Sequence, residues 1–428
     1  MGTSARDLAA ATPATRDRYV DLLRVASLAV VVLGHWLMAA VTTDGRVGNL
    51  LAVVPGLQVL TWGLQVMPVF FFVGGFSHAL AHRSRPRYAA FLRTRLQRLL
   101  RPTAVFIGAW GALALAVQLL GADGGLTGVA LRLVTQPLWF IGVYLAMVAL
   151  TPPLLKAHGR YGWGAFLALA AGAALVDAAR FAAGVPYVEF LNFALVWLAV
   201  HQLGFLRADG MIRRPAVLAG AGLLGAAALV ALGPYPLSMV GMPGEKVSNM
   251  APPTLALLCH GLWLVGAVEL LKGPGARFTA RARVWRGVVA ANGIAMTAFL
   301  WHLTAMLGVY GALLAAGVRL PEPATGAWWA QVPLRIAAAA ALTALLVAVF
   351  RRFEHPVPAA PATGTGGPAA ALGITLALLG VLGLSMTGFG GLLEGRTATL
   401  IALPVTAPAA VAMALAGWFL VERAGRGN

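Results

Sequence analysis

Charge and cysteine are what this sequence has little of. Of its 428 residues only 11% are Asp, Glu, Lys or Arg, where a soluble domain carries about a quarter. Apolar residues make up 60%, and the mean hydropathy is +0.81. That leaves too little polar surface to cover a water-soluble core of this length, so most of the surface must face lipid. The lone cysteine, Cys259, excludes any intramolecular disulfide and so says nothing about redox compartment. The opening segment MGTSARDLAAATPATRDRY has no apolar stretch followed by a small-residue cleavage site, so the run at 20–41 reads as a retained first span. Several motifs are also missing. There is no His-x-x-x-His, paired-Cys or clustered-carboxylate spacing, so no metal site is expected. There is no GxxxxGK[ST] loop to cradle a phosphate.

In lipid every backbone N–H and C=O must be bonded within the protein, which restricts the chain to helices or a closed barrel. Barrel strands alternate apolar and polar residues over about ten positions. Here the apolar runs are unbroken over about 20 residues, the length at which a helix crosses the hydrocarbon. The fold class is therefore all-α, a polytopic transmembrane helix bundle. Twelve runs can be drawn, at 20–41, 56–80, 102–121, 136–155, 162–179, 189–206, 215–233, 252–271, 288–316, 328–350, 368–390 and 399–420. The stretch Leu50–Ala81 is long for one span and short for two. Splitting it would place the arginines after His82 outside, so one span is expected, with Ala52–Gly63 interfacial or re-entrant.

The net charge of +18 invites a nucleic-acid reading, but the distribution of charge argues against one. With the N-terminus in the cytoplasm, 24 of the 32 Lys and Arg fall on inner segments and 6 on outer ones, while Arg24 and Arg335 lie inside spans. Such a loop-by-loop bias is the positive-inside pattern. It implies a plasma (inner) membrane protein with both termini cytoplasmic and no nucleic-acid partner. The uncharged segment Pro356–Gly367 reads as a linker. It divides the chain into a cytoplasmic tail (1–18), a ten-span domain (19–355), the linker (356–367) and a two-span C-terminal appendage (368–428). Neither of the last two runs contains an ionisable residue. That composition suits a packing or oligomerisation element, so a chain stopped near Ala362 is expected to insert and keep measurable activity at lower stability.

Inside the first span, Arg24 and His35 are eleven positions apart. This is about three helical turns, so both point from nearly the same face, roughly 16 Å apart along the axis. Ionisable groups are costly at membrane depth and by default suggest function. The plainer alternative has Arg24 snorkelling to the surface beside Asp21 and His35 bonding a neighbouring helix. Other polar residues within spans, His201, His260, Glu269 and Asn292, read first as interhelical bonds.

An opening span with Arg, ten residues, then His, preceded by Tyr19 and Asp21, resembles the acyltransferase 3 family of membrane O-acyltransferases. Further motifs follow in the family's order. They are the Pro-aromatic-Gly segment Pro68–Phe76, the Arg-x-x-Arg pair Arg95 and Arg98, the element Leu138-Trp139-Phe140, and the aromatic-His segment AFLWHLTAM with His302. The resemblance covers about residues 16 to 355, all ten core spans. The two further spans depart from the pattern, because many bacterial members end after ten or continue into a soluble esterase-like domain.

The resemblance implies transfer of an acyl group, usually acetyl or another short chain, from acyl-CoA to a hydroxyl. The acceptor would be a glycan, a glycolipid or a small molecule. Acyl-CoA would be a donor substrate, with no bound cofactor. It also implies catalytic roles for His35 (general base) and Arg24 (donor or oxyanion partner). Arg95 and Arg98 would meet the CoA phosphates, unless they serve only as an inner-face anchor. His302 and Trp139 would contact substrate, unless His302 makes a structural bond and Trp139 is an interfacial or packing residue. The competing reading is a transporter or flippase of a lipid-linked sugar or small metabolite, with Arg24 and His35 lining its path.

Overall fold

A computed structural model describes residues 5–13, 15–84, 87–122, 124–242, 244–354, 367–395, 397–400 and 403–424. The chain is all-α. Among the described residues the only sheets are two antiparallel hairpins, Ala39–Val41 with Val47–Asn49 and Thr397–Leu400 with Leu403–Thr406. The main helices are α1 (Arg18–Met38), α2 (Met67–Ser84), α3 (Tyr88–Leu119), α4 (Pro137–Tyr161), α5 (Trp163–Phe181), α6 (Asn192–Ala208), α7 (Pro215–Leu232), α8 (Leu255–Leu270), α9 (Ala295–Ala315), α10 (Gly326–Phe350), α11 (Gly367–Thr387) and α12 (Ala407–Ala424). Among the described residues, eleven helical segments are long and apolar enough to cross a membrane. The count becomes twelve if α8 and the helix Lys272–Ala280, bent by 53°, form one span. The protein is a multi-pass membrane protein.

Several elements differ from the simple runs of the sequence. The run at 20–41 ends as helix at Met38, where the chain enters a hairpin that turns at Asp44 and Gly45. Gly45 has φ +79°, a conformation that suits glycine. The segment before α2 is a separate 3₁₀ turn, Pro55–Leu60, followed by the short helix Thr61–Leu64. Helix α3 starts at Tyr88, well before the apolar run at 102, and carries the arginines on its first turns. Leu and Arg are both good helix formers. Burial of Phe91, Leu92, Leu96, Leu99 and Leu100 gives this stretch an inward face. Helix α9 starts at Ala295, after a distinct helix Ala282–Asn292. The linker 356–366 lies outside the described residues.

Two compact units make up the chain. The first comprises Met1–Val31, Pro55–Ala81 and Thr151–Ala295. Close backbone approach fixes its helices. A Cβ on Gly75 of α2 would fall on the His201 carbonyl of α6, and one on Gly204 would fall on the Phe72 carbonyl, so each helix needs a glycine at the crossing. Arg207, whose side chain is 4% exposed, is bonded to Glu269 (2.6 Å) and Asp17 (2.9 Å) and lies 4.5 Å from the Phe76 ring. The Tyr19 hydroxyl donates to the Val268 carbonyl at 2.7 Å. The intramembrane histidine His201 pairs with His78 (3.0 Å), and both are buried.

The second unit comprises Val32–Val54, His82–Leu150 and Met296–Asn428. Buried Glu354, just after α10, caps the start of α9. Its carboxylate accepts from the N–H groups of Met296 and Thr297, each at 3.0 Å, and from the Thr297 hydroxyl at 2.6 Å. A carboxylate at a helix N-terminus satisfies orphan N–H groups and complements the helix dipole. Arg335, inside α10, donates to the Tyr310 hydroxyl (2.9 Å) and the Trp328 carbonyl (2.7 Å), and its guanidinium lies 4.6 Å from the Trp328 ring centre. These contacts account for a buried arginine without a catalytic role. Helices α11 and α12 also belong to this unit. Gly373 and Gly380 on one side and Gly417 on the other let their backbones approach closely.

Candidate active site

His35 lies near the C-terminal end of α1 and His302 in the first half of α9. Their positions are 267 residues apart in sequence, yet His35 Nδ1 is 2.8 Å from His302 Nε2. The rings stack with centroids 5.0 Å apart and planes within 13°. His302 is fully buried, whereas His35 is only partly so. On its other side His302 Nδ1 meets the carbonyl of Phe299, one turn earlier on α9.

This chain of contacts fixes both tautomers. A carbonyl oxygen only accepts, so His302 Nδ1 carries the proton and donates it to Phe299. In a neutral imidazole the second nitrogen is then an acceptor, so His302 Nε2 accepts from His35 Nδ1–H. The tautomers are assigned from this network. The outcome is directional: His35 Nε2 is left without a proton, as a lone pair with no protein partner among the described residues. Trp36, next in sequence, donates its indole N–H to the His302 carbonyl at 3.1 Å and ties α1 to α9 at the same level.

A line of aromatic rings leads away from His302. Phe299 stacks on His302 (5.7 Å), Phe140 of α4 meets Phe299 edge-on (4.8 Å), and Trp139 meets Phe140 edge-on (6.4 Å). Trp139 is thus joined to the histidines through Phe140 and Phe299.

In the first unit, Arg24 donates to the Ser77 hydroxyl of α2 at 2.8 Å and lies 3.5 Å from Asp21. Asp21 is held by a two-pronged contact from Arg16, at 2.6 and 3.1 Å. The Arg24 side chain is 26% exposed, so part of its fork remains open. Arg95 and Arg98 stand three residues apart on α3, which puts them on one face; Arg98 is exposed and Arg95 half-buried.

Sequence reasoning missed Ser77, Trp36 and the Phe299 carbonyl. Trp36 adjoins His35 and offered a positional clue. A main-chain carbonyl offers none.

An all-α multi-pass membrane protein with a tautomer-fixed histidine pair, one ring buried and the other partly so, is the class that fold and site define. The chain belongs to the acyltransferase 3 family: the family's model, described as Acyltransferase domain, matches residues 17–352. It is therefore an enzyme, an acyltransferase of groups other than aminoacyl groups. Comparison with curated proteins and with solved structures gave no match.

Proposed function

We propose that the protein is an O-acyltransferase that moves a short acyl group, acetyl or similar, from acyl-CoA to a hydroxyl of a sugar, glycolipid or small metabolite. The observation that carries this reading is the one-way relay Phe299–His302–His35, with an unprotonated nitrogen at its end. A hydroxyl is a weak nucleophile and needs a base to take its proton as it attacks. In the proposed reaction, His35 Nε2 accepts the acceptor's proton and the hydroxyl oxygen bonds to the thioester carbonyl carbon. The carbon–sulfur bond then breaks, and the departing thiolate takes the proton as free CoA thiol. His302 holds His35 in the tautomer whose Nε2 is the base and steadies the imidazolium that forms transiently.

Arg24 is the proposed partner of donor charge or of the developing oxyanion, where a planar guanidinium suits phosphate or oxyanion geometry. Its anchoring by Asp21 and Ser77 supports a fixed orientation. Arg95 and Arg98 are the proposed CoA-phosphate contacts, supported by their shared helix face. Trp139 is assigned to the substrate path on its link to the aromatic shell of His302. The charge bias of 24 inner to 6 outer Lys and Arg supports a plasma-membrane location with cytoplasmic termini. The test is mass spectrometry of glycans, lipids and secreted metabolites from cells with and without the gene. The reading expects an acyl mass, such as acetyl, to be missing from one hydroxyl-bearing product. An unchanged acyl profile would defeat it.

A further inference from the structure

Helices α11 and α12 lie beyond the residues matched by the family model, yet the segment that leaves α11 is anchored to α3 and to the short helix Gly125–Leu133. Phe389 is fully buried. Its N–H donates to the Leu131 carbonyl at 2.8 Å, and its carbonyl accepts from Gln118 Nε2 of α3 at 2.8 Å. Gln118 Oε1 in turn accepts from the Leu393 N–H at 3.2 Å, while Nε2 also reaches the Ala114 carbonyl at 3.1 Å. Gly388 has φ +68°, and an added Cβ there would meet Arg132 Cα at 3.0 Å and the Leu131 carbonyl at 3.1 Å. The Phe389 ring stacks on Trp110 (6.3 Å, 18°), whose indole N–H donates to Thr304 Oγ1 at 3.0 Å. Thr304 is two residues beyond His302 on α9.

We propose that this segment is a positioning element of the acyl-transfer site: it holds Trp110, Trp110 holds α9 through Thr304, and α9 holds the His302 ring that orients His35. Composition alone gave the pair a passive packing role. A helix pair that merely packs would bury apolar side chains. Here the main-chain groups at the end of α11 are bonded by buried Leu131 and by half-buried Gln118, and loss of the segment would strip the Phe389 main-chain partners from both. The inference rests on the reading that the histidine pair carries the reaction.

The test uses the full-length protein in nanodiscs, with acetyl-CoA as donor. It reads CoA-thiol release together with hydrogen exchange of the α9 amides around His302. Thr304→Val keeps the shape and loses the acceptor; Thr304→Ser keeps the acceptor; Trp110→Phe keeps the ring and loses the N–H. We expect Thr304→Val and Trp110→Phe each to lower kcat about five- to tenfold, the scale of one oriented hydrogen bond. Donor KM should stay unchanged, α9 exchange should rise, and Thr304→Ser should restore both readouts. His35→Ala runs alongside. If it is inactive while Thr304→Val and Trp110→Phe match wild type in kcat and exchange, the positioning role is wrong and the histidine reading stands. If His35→Ala is itself active, that reading fails first.

Discussion

Replacing His302 separates orientation from catalysis. His302→Ala removes the acceptor for His35 Nδ1–H, so the proton is free to sit on either nitrogen and the ring is free to rotate. The 2.8 Å bond between two neutral rings is worth about 1 kcal/mol net, or roughly fivefold. Loss of the fixed tautomer adds to this, because only molecules with an unprotonated Nε2 remain competent. The whole contribution of a general base is about 10²–10⁴. His302→Ala should therefore lower kcat about 10- to 100-fold, short of the loss in His35→Ala, with donor KM unchanged. His302→Gln offers a side-chain carbonyl to the same Nδ1–H and should recover part of the loss. The assay is CoA-thiol release at saturating donor, on protein whose melting temperature is measured in parallel. If Ala and Gln are equally active, or if His302→Ala is as inactive as His35→Ala, the orienting role is refuted.

Arg24→Lys should be severely impaired in kcat, because a flexible point charge cannot reproduce a planar fork held by Ser77 and Asp21; near-normal turnover would remove Arg24 from the site. Arg95→Ala with Arg98→Ala should raise the apparent KM for acyl-CoA and leave kcat nearly unchanged, and a change in topology with unaltered KM would make them orientation anchors. Glu354→Ala should cost about 1–3 kcal/mol of stability, because it strips the acceptor from the Met296 and Thr297 N–H groups; a lowered melting temperature checks it. Gly204→Ala should destabilise the first unit by about 1–3 kcal/mol, since a Cβ there meets the Phe72 carbonyl and the α2 backbone.

Composition was enough to read the membrane class and the helical fold, because lipid leaves so few ways to satisfy a backbone. His35, Arg24 and His302 stood out as ionisable groups in apolar runs. Their pairing did not. The His35–His302 bond joins positions 267 residues apart, and Ser77 is an ordinary hydroxyl until it lies beside Arg24. The tautomer depends on the Phe299 carbonyl, which no side-chain pattern encodes. Helix starts shifted for local reasons: buried leucines draw the arginine-rich stretch into α3, and the Glu354 cap sets the start of α9 at Ala295. The docking of α11 was hidden because it runs through main-chain groups and one glutamine.

Acyl transfer in His35→Ala decides whether His35 is the general base. With wild-type and variant chains at matched membrane levels, the acyl-bearing product is quantified by mass spectrometry in cells lacking the native gene. His35→Ala should yield no product above the deletion background while the protein remains inserted and folded. Product at more than about a tenth of wild type, well above the residue expected after losing a general base, would contradict it.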